Sequence, residues 1–168
     1  MRLTKIGVSC LLGIVAQFAR GDMSAKIAEA SAPLTEGVPE VAVSRLQALL
    51  NKDLPETEWH VVAEKLAEAQ VTAREPENTL VLLADPRLRG LPWAKFWRAQ
   101  ALAALNRWAD ALPLYEELTK DRGSLFHGAA IFGTAEMLRA LGKRQQALSK
   151  LNLLFQDKEW STRARLRA

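Results

Sequence analysis

The sequence predicts an all-α protein made of stacked helix pairs, and three observations carry that prediction. A helix-turn-helix pattern appears twice between residues 92 and 155, as AQALAALNRWADALPLYEEL and GTAEMLRALGKRQQALSKLNLL, with Ala111 and Ala147 lying 36 residues apart. Apolar residues elsewhere recur at spacings of three and four, the period of an amphipathic helix. The composition, 49% hydrophobic and 25% charged over 168 residues, is that of a soluble globular chain with room for one domain. Each helix pair has an apolar stripe that it cannot bury alone, so stacking on the next pair completes the core.

Residues 1–21 stand apart from the rest. Arg2 and Lys5 precede an apolar run of 14 residues from Ile6 to Ala19, and Ala19-Arg20-Gly21 supplies a small-x-small cleavage pattern. The run falls short of the ~20 residues that span a bilayer, so the segment reads as a removable signal peptide. The protein is then periplasmic or secreted, with no stable membrane insertion after leader removal. Translation from Met23 would instead give a cytoplasmic protein. Without the leader, 20 basic and 19 acidic side chains leave a net charge of +1. The basic excess after residue 121 reads as a solvated helix face, and no nucleic-acid partner is expected. Cys10 is the sole cysteine, so residues 22–168 exclude disulfides, thiolate catalysis and cysteine-ligated zinc together.

Within 22–168 the elements follow in order. Ser24 to Ser31 is alanine-rich enough for a short helix, which Pro33 is expected to end because its ring clashes with helical backbone. Gly37 precedes PEVAVSRLQALL, whose proline suits a helix start because its missing N–H does no harm there. Pro55 opens the next pair, with Glu56 and Glu58 in a first turn that favours negative charge. Trp59, Val62, Ala63, Leu66, Ala67 and Ala69 give that helix its apolar face to about Ala73, and Pro76 begins a short partner that stops before Pro86. Residues 85–92 are turn-rich and connect into the third pair. Pro113 is expected to kink the helix beginning at Trp108 or to shift its start. Gly142 and Asn106 stand at the two clearest turns, where a residue ending a helix often needs positive φ. The basic segment Ser161 to Ala168 reads either as a cap over the last pair or as the first helix of a repeat continuing in a longer protein.

Ala111 followed by Tyr115, and Ala147 followed by Leu151, match the A-x3-F signature in the second helix of tetratricopeptide repeats, which have a period near 34 residues. Ala42 with Leu46 and Thr79 with Leu83 fit more weakly, and the four signature positions are 37, 32 and 36 residues apart. The chain therefore resembles the tetratricopeptide family over most of residues 24–155. Arg98 and Lys95 depart from it, standing where the family favours leucine and tryptophan. The resemblance implies a right-handed α-solenoid of stacked antiparallel helix pairs, about 3.5 to 4 of them over residues 22–168. Its small helix-crossing positions fall on Ala67, Ala99 and Ala135. It also implies a protein or peptide partner, held in a groove lined by the first helix of each pair. The groove positions fall on Glu64, Glu68, Trp93, Phe96, Gln100, Phe132 and Glu136, with Arg139 sharing the last face.

No constellation of catalytic groups accompanies these features. His60 has Glu56 one turn before it and Glu64 one turn after, but no H-E-x-x-H pattern surrounds it, and His127 is as isolated. His60 reads as a partly exposed helix histidine paired with a carboxylate, and His127 beside Gly128 reads the same way. The Glu64 and Glu68 pair lacks the opposing carboxylate a glycosidase needs, and the scattered glycines form no phosphate-binding loop. The expectation is a non-enzymatic scaffold of the cell envelope with no cofactor and no metal. The alternative is a structural N-terminal repeat array of a larger envelope protein with no ligand of its own.

Overall fold

The computed structural model describes residues 23–154, and these are helical with no strand among them. The leader, its cleavage site and the basic C-terminal segment lie outside the described residues. In order, the elements are α1 (23–35), α2 (Pro39–Leu50), α3 (Glu56–Thr72), α4 (Pro76–Leu82), a single 3-10 turn (Pro86–Leu88), α5 (Pro92–Ala104), α6 (Trp108–Leu118), α7 (His127–Ala140) and α8 (Arg144–Asn152). The chain divides into two compact units at Ala69–Gln70, in the last turns of α3.

In the first unit, α1 runs through Pro33 rather than ending before it. Proline in a helix interior leaves the carbonyl four residues earlier without its partner. Here that carbonyl belongs to Glu29, and Arg45 on α2 donates its Nη1 to it at 3.4 Å. A long-range contact thus supplies what the local sequence withholds, and Pro33 itself is buried. Along α2 the residues Ala42, Leu46 and Leu49 are buried at spacings of four and three. All six apolar residues expected to face inward on α3, from Trp59 to Ala69, are buried.

The second unit is organised by sequential packing: α4 on α5, α5 on α6, α6 on α7 and α7 on α8, with a lesser contact of α5 on α7. Its main core gathers Phe96, Ala99 and Leu102 of α5, Ala111, Tyr115 and Leu118 of α6, and Ala130 and Met137 of α7. A second cluster joins Ile131 and Ala135 of α7 to Leu151 and Leu154. Pro113 lies inside α6 on an exposed face, and the helix still begins at Trp108, so its start is not shifted.

The two helices of every pair are joined by one recurring turn. Gly37, Arg74, Asn106 and Gly142 each adopt positive φ, at 79°, 62°, 59° and 77°. The residue after each donates its N–H back across the turn, Val38 to Pro33, Glu75 to Gln70, Arg107 to Leu102 and Lys143 to Leu138, at 2.8–3.0 Å. This is the helix-ending arrangement in which a left-handed residue lets the chain satisfy an otherwise orphaned carbonyl. Each turn residue stands five positions before a signature position, so the 37, 32 and 36 spacing belongs to the backbone as well as to the side chains. Twelve positions before each signature residue stands an alanine, Ala30, Ala67, Ala99 or Ala135, and all four are buried. A methyl side chain there admits the close approach of a neighbouring helix that a larger one prevents.

Candidate functional site

In the second unit, α5 and α7 each keep an accessible stripe beside the face that packs inward. On α5 it comprises Trp93, Trp97 and Gln100, and on α7 Phe132, Glu136 and Arg139, each set spaced four and three residues apart. All six remain half-buried except Arg139, which is exposed. Residues at such spacings share a helix face, and α5 and α7 also touch each other. Between them the two stripes carry two indole rings, a phenyl ring, a carboxamide and an ion pair.

Phe96 does not belong to that surface. It is 7% exposed and sits in the core, its ring centroid 5.0 Å from Phe126, 5.2 Å from Trp97 and 6.2 Å from Tyr115. The groove position that the repeat pattern assigns to Phe96 is therefore roofed by Phe126, from the turn that precedes α7. Trp97, its neighbour in sequence, takes the half-buried place instead. Its Nε1 is buried with no hydrogen-bond partner. The spacing of Trp93 and Trp97 was the signal for it, since residues four apart stack on one face.

Glu136 accepts from both Nε and Nη2 of Arg139, at 3.4 and 3.1 Å. The forked pair raises the Arg139 guanidinium above its ordinary value, chiefly through those hydrogen bonds. Its carboxylate is largely covered and its guanidinium half-exposed, so the pair presents cationic N–H groups outward while Glu136 holds their direction.

In the first unit, Glu64 and Glu68 lie half-buried, one turn apart on α3. Burial pushes the Glu64 carboxyl upward; Lys65 opposes that shift and Glu68 adds to it. Glu68 itself is held by Lys65 Nζ at 2.8 Å. Glu64 is thus a partly desolvated carboxylate, whose charged form an arriving cation would favour.

The histidines remain apart from these groups. His60 Nε2 lies 3.9 Å from Glu56 Oε1, beyond hydrogen-bond distance, and the imidazole packs edge-on against Trp59. Among the described residues no group of His, Cys, Asp and Glu side chains converges to hold a metal ion, and no helix is long and apolar enough to cross a membrane.

No family model, curated protein or solved structure matches the chain.

Proposed function

We propose that the chain is a tetratricopeptide-like right-handed α-solenoid, acting in the cell envelope as a non-enzymatic scaffold that binds a peptide or protein segment. The observation that carries this reading is the pair of accessible stripes on α5 and α7. Trp93, Trp97 and Phe132 stay half-buried on these stripes, Trp97 and Phe132 while also packing against the core. Aromatic rings contribute large contact areas at little conformational cost, and tryptophan is enriched where binding energy concentrates. Gln100 adds a donor and an acceptor able to pair with an extended main chain. The fourfold recurrence of turn and alanine supports the repeat architecture on which the proposal rests.

A photoreactive amino acid placed at Gln100 in the native host tests this directly, with Glu116, exposed on α6, as the comparison position. The expected result is a discrete adduct from position 100 that position 116 does not give. Adducts of equal yield from both, or from neither, overturn the stripe as the binding face. The carboxylates of α3 are tested on their own: Glu64→Lys combined with Glu68→Lys weakens partner binding while helicity stays unchanged. N-terminal sequencing of the host protein tests the envelope assignment, with a first residue near Asp22 expected and Met1 or Met23 in a cytosolic fraction the contrary result.

A further inference from the structure

The third repeat breaks the pattern of the second and fourth at two core positions. Ala63 and Leu66 in α3, and Ile131 and Thr134 in α7, are buried at the positions that Lys95 and Arg98 occupy in α5. The first repeat also has charges there, Lys26 and Glu29, but both are exposed on α1. In the third repeat Lys95 and Arg98 line a cavity of about 350 Å³ within the second unit, bordered by the end of α4, the 3-10 turn, the start of α5 and Leu114 of α6. Its floor is apolar, since Leu83, Leu88 and Ala94 are all buried. Its rim carries Arg89, Lys95 and Arg98, with Asp85 as the sole acidic member.

The charges are not balanced. Asp85 is taken by Arg87, which reaches it with Nε at 3.0 Å and Nη2 at 2.7 Å. Lys95 is paired with Glu117. Arg98 donates one N–H to the Leu83 carbonyl, which fixes the guanidinium at the rim and leaves its remaining donors uncommitted. Arg89 makes no ion pair among the described residues. Two arginines thus line a pocket with an apolar floor, of the size that takes a small ligand.

We infer that this cavity is a binding site for a carboxylate attached to an apolar group, the carboxylate lying between Arg89 and Arg98 and the apolar group on Leu83, Leu88 and Ala94. Guanidinium groups match a carboxylate in geometry and charge, and the floor selects against a bare inorganic anion. A free aryl or branched-chain acid and the C-terminal residue of a peptide both present this chemistry. The site is separate from the α5 and α7 stripes and does not depend on their role.

Calorimetric titration of the full chain tests the assignment with benzoate as the free acid, N-acetyl-leucine as the peptide end, and benzamide and N-acetyl-leucinamide as their uncharged counterparts. At least one acid is expected to bind, and its uncharged counterpart to bind at least ~10-fold more weakly, the loss of one charge-assisted interaction. Tighter binding of benzoate identifies a free acid, and tighter binding of N-acetyl-leucine a peptide end. Arg89→Gln, at an exposed position, is expected to weaken the preferred acid by ~10-fold without changing the melting midpoint. The site is overturned if neither acid binds, if the amides bind as tightly, or if Arg89→Gln leaves affinity unchanged.

Discussion

The ring of Tyr115 on α6 lies directly on the backbone of Gly133 on α7: a Cβ at position 133 would stand 2.6 Å from Tyr115 Cε1 and 2.7 Å from Cζ. Tyr115 is almost fully buried, and burial pushes its phenol upward, keeping it neutral. The ring packs within the core, and Gly133 is what lets these two helices meet.

Gly133→Ala is consequently expected to destabilise the protein, although alanine is the better helix former by ~1 kcal/mol. The rigid ring must move to admit the methyl group, an overpacking cost of ~1 to 3 kcal/mol. Urea unfolding measures the sum, and a rise in the midpoint would show that the ring relaxes. Gly133→Ala combined with Tyr115→Leu should lose less than the two single substitutions added together, because the clash is shared.

Ala135→Trp is expected to cost ~1 to 3 kcal/mol by the same mechanism, since Ala135 is 1% exposed within the cluster formed by Ile131, Leu151 and Leu154. An unchanged unfolding midpoint would show that no close crossing occurs there. Ala104, exposed on α5, is the comparison site, where the same substitution should be near neutral.

The four turns predict opposite effects of opposite exchanges. Arg74 and Asn106 hold positive φ at the cost a side chain brings in that region, so Arg74→Gly is expected to stabilise by up to ~1 kcal/mol. Gly142→Ala should destabilise by a similar ~1 kcal/mol, although nothing lies within 4 Å of the added Cβ, because φ is 77° there. Thermal melting of both variants checks the pair, and equal signs would contradict the turn assignment.

Glu64 gives a pH dependence with a definite sign. Its carboxyl is raised in the folded state, chiefly by burial, so folding favours the protonated form. Relative to an uncharged side chain, the stability it contributes is full below the ordinary carboxylate value near ~4.3 and is lost as pH rises through the raised folded value. Glu64→Gln should therefore be more stable than the parent at pH 7 and no more stable at pH 3. Denaturant titrations at the two pH values measure this, and a difference that grows on acidification would refute it.

What the sequence determined by itself is local or periodic. Apolar spacing located the helices, the prolines at 39, 55 and 76 marked the starts of three of them, and the four signature positions fell at the same register in each pair because every pair solves the same burial problem. Gly142 and Asn106 announced their turns through residue type, whereas Arg74 gave no such sign, because its positive φ is imposed by the helices on either side of it. The tertiary structure alone decided matters that depend on a distant neighbour. Pro33 stays inside α1 with Arg45 reaching the carbonyl it strands. Phe96 goes into the core against Phe126, whereas Trp97 beside it stays half-buried. Lys95 and Arg98, which in sequence are only departures from a pattern, border a cavity because α4 and α6 supply its other walls. Periodicity says which face of a helix turns inward, but the identity of what waits there is a contact between residues far apart in the chain.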